Sequence, residues 1–167
     1  MVFYLLCGAP FSGKTTVSKL LSTKTGAVIL SLDDLMKKKG FDLSNTIAIE
    51  EWENAHQEAL KLIEKYSELQ QDVILDDTNF LKKLRDRFSN KATSVGYDVK
   101  IIYLEVGIDT LEQRRKGAVS NKERNTLSDE AFYSVINNFE VPGSREDAIT
   151  IRETDDIIEQ VNKITGY

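Results

Sequence analysis

Eight residues, GAPFSGKT (Gly8 to Thr15), stand between an apolar run, VFYLLC, and an amphipathic stretch that begins at Lys14. They fit G-x-x-x-x-G-K-[ST] without mismatch, with a strand expected before them and a helix after. Gly8 and Gly13 let the backbone curl so that its N–H groups face phosphate oxygens. The helix N-terminus adds positive partial charge at the same place. Lys14 is expected to reach the β- and γ-phosphates of a nucleotide, and the Thr15 hydroxyl to bind Mg²⁺. The expected nucleotide-binding residues are Gly8, Ala9, Pro10, Phe11, Ser12, Gly13, Lys14, Thr15 and Thr16.

A strand–loop–helix unit of this kind needs parallel neighbours, and the rest of the chain supplies them. VFYLLC, AVILS, DVILD, VKIIYLEV and AITIR read as strands, with helical patterns between them. Val17, Leu20 and Leu21 share one face of the first helix. Ile49, Trp52, Ala55, Ala59, Leu60, Ile63 and Tyr66 recur at helical spacing within Thr46 to Gln70. A third helix is expected from about Phe80 to Val95, with Leu81, Leu84, Phe88 and Ala92 inward and Arg85 and Arg87 outward. Asp109 and Glu112 open a short helix as a capping box. Ser128 is the expected N-cap of another. Gly117 to Thr126 is polar and has no apolar period. The expected fold is a three-layer α/β P-loop NTPase with a parallel sheet of about five strands. A length of 167 residues favours one domain, 1–167.

Ligands of open α/β sheets bind at the carboxyl ends of the strands. There the chain carries SLDD (Ser31 to Asp34) and ILDDTN (Ile74 to Asn79), so four carboxylates are expected near the phosphate loop. Such a cluster is costly unless Mg²⁺, lysine or arginine offsets it. A carboxylate from Asp76 or Asp77, with Thr15, would serve the metal. Another, facing an acceptor hydroxyl, could take its proton during phosphoryl transfer. Asp34 reads as a helix cap or a support for Asp33.

Composition narrows the alternatives. One cysteine, Cys7, and one histidine exclude an internal disulfide and Cys/His metal cages. The expected compartment is cytoplasmic. No apolar run approaches the roughly 20 residues of a membrane span. The net charge of −5 disfavours a broad nucleic-acid surface. Positive charge concentrates in Lys37–Lys39 and in RRKGAVSNKER, Arg114 to Arg124. His56 reads as packed within its helix.

GAPFSGKTT, SLDD, ILDDTNF, YLEVGIDTLEQRR and FEVPGSREDAITI occur in an order that resembles small P-loop kinases of the polynucleotide kinase, phosphoseryl-tRNA kinase, zeta-toxin and gluconokinase-like group. The resemblance spans nearly the whole chain. It implies strand order 2-3-1-4-5, ATP with Mg²⁺, and transfer of the γ-phosphate to a hydroxyl. It also implies an acceptor-side helical segment, 36–70, and a closing lid, 114–127. Asp33 matches the aspartate that acts on the acceptor hydroxyl, Asp77 the aspartate of a D-T-N segment, and Arg114 an arginine at the base of the lid. Arg115 and Arg124 are further candidates to stabilise the transition state, with Lys14. Arg145 falls near the segment that contacts adenine in those kinases. Two departures stand out: the polynucleotide kinase pattern has arginines where this chain has Met36 and roughly Ala118. They argue against an ordinary nucleic-acid end as acceptor. A polynucleotide 5′-hydroxyl kinase and an ATP-binding module without acceptor are the alternatives to a small-molecule or nucleotide-like kinase.

Overall fold

The computed structural model describes residues 1–120 and 127–166. The elements run β1 (Val2–Gly8), α1 (Lys14–Thr25), β2 (Val28–Ser31), α2 (Leu32–Lys38), α3 (Ile49–Glu68), β3 (Val73–Asp76) and α4 (Lys82–Ser94). They continue with β4 (Asp98–Glu105), α5 (Ile108–Ser120), α6 (Asp129–Asn137), a 3-10 turn (Ser144–Glu146), β5 (Ile149–Arg152) and α7 (Ile157–Thr165). The strands form one parallel sheet in the order β2-β3-β1-β4-β5, as expected.

Alternation along β1 sorts the core into two layers. Phe3, Leu5 and Cys7 join Met36 of α2, Ala59 and Ile63 of α3, and Phe88 of α4. Tyr4 and Leu6 join Val17 and Leu21 of α1 and Val161 and Ile164 of α7 on the other face. Strands buried on both faces explain the unbroken apolar runs of the sequence. Among the described residues no helix is long and apolar enough to cross a membrane.

Several boundaries differ from the expected ones. The 36–70 segment holds two helices, and α3 begins at Ile49. Between them Asp42 accepts from the Ser44 N–H and hydroxyl, an Asx-type turn that competes with helix. The polar stretch at 117 remains helical through Ser120. The α4 helix starts at Lys82 because Asn79 adopts φ 46 and Leu81 is extended. Glu140 then accepts the Lys82 N–H at 2.5 Å, closing the helix start from outside.

Arg85 reverses its expected placement: it is fully buried. The charge lies inside because Glu146, remote in sequence, meets it with both carboxylate oxygens, at 2.6 and 3.0 Å. Arg87 does face outward, paired with Glu53.

Candidate active site

The site begins with strand register. Ser31 of β2 lies opposite Asp76 of β3, and β3 also pairs with β1, whose end is Gly8. SLDD, ILDDTN and the phosphate loop therefore leave the sheet side by side. Ser31 caps α2, its hydroxyl accepting the Asp34 N–H at 3.2 Å, which sets both aspartates in the first helical turn. The Asp34 side chain is 66% exposed and lies 4.0 Å from Lys37. Asp33 stays solvent-accessible, yet the surrounding protein holds its carboxyl above the ordinary value, with repulsion from Asp77 second.

In the loop, a Cβ at Gly8 would stand 2.7 Å from the Ser12 hydroxyl and 3.2 Å from the Leu104 carbonyl, so glycine is required. Gly13 has φ 102 and brings no side-chain cap to α1. The Lys14 ammonium donates to the carbonyls of Gly8 (2.9 Å) and Ala9 (2.8 Å). Burial lowers its pKa against the opposing pull of Asp76, Asp77 and Asp33. Those are three of the four strand-end carboxylates, and all act on one ammonium. Thr16 is exposed, and its N–H is taken by the Gly13 carbonyl.

Asp76 is the buried member of its pair. Ser18 of α1 donates to its Oδ2 at 3.0 Å, and the Thr15 hydroxyl, like that of Ser18, favours its charged form. Burial raises its pKa, and Lys14 is the strongest opposing influence. A hydroxyl beside one carboxylate is the donor set that Mg²⁺ uses together with nucleotide phosphates. Among the described residues no group of three or more His, Cys, Asp or Glu side chains could hold a metal ion. Asp77 is half-buried, and the Asn79 N–H approaches its Oδ2 at 3.5 Å.

A family model described as an AAA domain (AAA_33) matches residues 3–142. The chain belongs to this AAA domain family. No curated protein matches it. Several solved structures share the fold of this AAA domain. A sugar kinase from Janibacter sp. HTCC2649 superposes with a TM-score of 0.78 at 13% identity, covering 100% of this chain and 94% of that one. Kti12 from Chaetomium thermophilum, in complex with ADP-AlF3, gives 0.71 at 15%, covering 98% and 97%. The Mycobacterium tuberculosis APS kinase CysC, in complex with AMPPNP and APS, gives 0.69 at 16%, covering 99% and 95%.

The arginines of the AAA domain divide. Arg114 reaches the phosphate loop, its Nη1 donating to the carbonyls of Phe11 (3.2 Å) and Ser12 (3.3 Å). Arg115 turns to α6 instead, bonding Asp129 and lying 5.0 Å over the Phe132 ring. Arg124 and Lys122 lie outside the described residues. Phe11, at φ 67, packs its ring 6.0 Å from that of the buried Phe132. Arg145 lines a cavity beside α4 that no phosphate-loop residue enters.

Sequence reasoning passed over two anchors. Ser18 is one helical turn from Thr15, a spacing that could have marked it. Asn79 Nδ2 donates to the Leu6 carbonyl at 2.8 Å, and the Asn79 carbonyl receives Arg85 Nη1 at 3.0 Å. The Gly8 N–H binds the Thr78 carbonyl at 3.0 Å. ILDDTN is thus tied directly to the phosphate loop. His56, expected to be packed, has a side chain only 12% exposed and meets the Phe88 ring edge-on. Its pKa is lowered by burial, with Asp77 pulling the other way.

Proposed function

We propose that this AAA domain is an ATP- and Mg²⁺-dependent kinase that transfers the γ-phosphate to a hydroxyl of a small-molecule or nucleotide-like acceptor. The convergence of Asp33, Asp76 and Asp77 on Lys14 carries this reading. Phosphate binding alone does not call for a carboxylate such as Asp33, which makes no bond to the loop and opens to solvent.

In the proposed step Asp33 takes the acceptor proton as the acceptor oxygen attacks the γ-phosphorus. The bond from that phosphorus to the β–γ bridging oxygen breaks, and ADP leaves with the electron pair. Lys14 and the loop amides hold the phosphates. Thr15 and Asp76 are assigned to Mg²⁺, because Asp76 is the carboxylate whose charged form the Thr15 hydroxyl favours. Bound there, the ion would neutralise phosphate charge. Arg114, against the loop carbonyls, is assigned to the charge that develops on the transferred group. Asp77 is kept as a neighbour of the metal side. Arg115 is assigned to holding α6, given its bonds. The segment 36–70 is assigned to the acceptor side; the expected lid, 114–127, lies partly outside the described residues.

Lys14→Met should weaken ATP affinity by about tenfold or more, the cost of one charge-assisted contact. Titration with a fluorescent ATP analogue measures this, and unchanged affinity would remove Lys14 from the phosphate site. The function itself is tested by ADP release and ³²P transfer from labelled ATP across sugars, nucleosides, adenylylated small molecules and 5′-hydroxyl oligonucleotides. The expected result is transfer to one of the small acceptors. ATP turnover that no acceptor stimulates would sink the kinase reading. Labelling confined to the oligonucleotides would replace the small acceptor with a polynucleotide end.

A further inference from the structure

Away from this cleft, a cavity of about 740 Å³ opens between the start of α4 and residues 140–146. No residue of the phosphate loop or of SLDD lines it. Its volume lies within the range of about 300–1,000 Å³ typical of small-ligand sites.

The charges of its lining do not cancel. Four cations, Lys82, Lys83, Arg85 and Arg145, face three carboxylates, Asp86, Glu140 and Glu146. Each carboxylate already has a partner. Asp86 binds the Lys82 ammonium at 2.5 and 2.6 Å, Glu146 takes the Arg85 fork, and Glu140 takes the Lys82 N–H. Lys83 and Arg145 make no ion pair or hydrogen bond with any described residue. Two cations therefore lack a partner among the described residues, against the single carboxylate charge of Glu140, which only a neutral N–H meets; a net excess of one positive charge remains on this concave wall, beside Leu81 and the 60% exposed Val141.

Like charges gathered in a concavity favour an anion between them. Arginine and lysine both suit phosphate and carboxylate oxygens. The floor needs no rearrangement to receive one. Arg85 and Glu146 are locked together, and Glu146 Oε1 also holds the Gly143 N–H at 2.9 Å. We propose that this cavity is a second ligand site, for a small molecule that bears an oxyanion group. The oxyanion lies between Lys83 and Arg145, and its carbon skeleton rests on Leu81 and Val141. The site is separate from the nucleotide site and does not depend on the kinase reading. It is joined to the cleft through Arg85 and its bond to the Asn79 carbonyl.

The test is a pair of titrations of the full chain, one with inorganic phosphate and one with citrate, followed by backbone amide NMR. Saturable shifts are expected at Leu81 to Asp86 and Gly143 to Glu146. The anion that gives them identifies the oxyanion class, and a response to both is equally supportive. The double variant K83S/R145S should weaken that binding by at least about tenfold, the worth of the charged contacts removed. Both side chains are exposed and unpaired, so the variant should fold as the parent does. The proposal fails if neither anion shifts those amides, if shifts appear only at Gly8 to Thr16, or if the double variant binds as tightly as the parent.

Discussion

Asp33→Asn is expected to lower kcat by at least about 10²-fold while leaving ATP affinity nearly unchanged. Asparagine keeps the shape of the side chain but cannot accept the acceptor proton. The helix that carries it should survive, because the cap of α2 uses the Ser31 hydroxyl and the backbone of Asp34. Steady-state kinetics beside an ATP titration separate the two effects, and near-normal turnover would remove Asp33 from the mechanism. A pH signature accompanies the loss. Although Asp33 opens to solvent, partial desolvation by the surrounding protein, and then repulsion from Asp77, hold its carboxyl above the ordinary carboxylate range. A base must be deprotonated, so kcat should rise with pH through that elevated value, and the acid limb should vanish in the variant. Stability runs the other way. A carboxyl with a raised folded pKa favours the folded state less as pH rises through it. Asp33→Asn should therefore be no less stable than the parent at neutral pH, with activity and stability moving in opposite directions.

The second large effect concerns the fold. Glu146→Ala should cost about 3–5 kcal/mol, the usual result of leaving a buried charge without its partner. Arg85 is fully buried, and the Glu146 side chain is only 7% exposed. Urea unfolding measures the loss, and a change within experimental error would mean that water reaches Arg85. Hydrogen bonding from Arg85 lowers the Glu146 pKa. The stability it contributes is thus present above the unfolded carboxylate pKa and lost as pH falls through the lower folded value. The variant should lack that acid-sensitive component. A double change, Arg85→Met with Glu146→Leu, should recover much of the stability, since packed apolar residues often replace a buried ion pair well. It would still withdraw the donor from the Asn79 carbonyl, so kcat reports on the positioning of ILDDTN apart from folding.

Local signals made the frame readable. The phosphate loop has a pattern that few other structures require, and apolar runs with helices between them lead to a parallel sheet. SLDD and ILDDTN could be placed near the loop because strand ends converge in such sheets. Their exact contacts required register, which depends on backbone pairing between distant segments. Arg85 was misplaced because a charged residue on a helix is ordinarily outward, and its partner is far away in sequence. Met36 is the sharper lesson. Its lack of charge invited a conclusion about the acceptor, yet it is fully buried in the core. Leu32, Leu35 and Met36 stand at i, i+3 and i+4, so the apolar stripe of α2 was present in the sequence all along. That position is given over to packing in this chain.

Phe11 has a wider implication. A phenylalanine in the left-handed region costs about 1–3 kcal/mol unless its surroundings hold it there. Here the ring is held by Phe132 and the carbonyl by Arg114, both from the far half of the chain. The octapeptide is therefore not a portable module. Grafted onto another strand–helix pair it would keep its glycines and lysine but lose the outside grip on its tip. Drift at that tip would trace how far the shape of a phosphate loop is written in neighbours rather than in the motif.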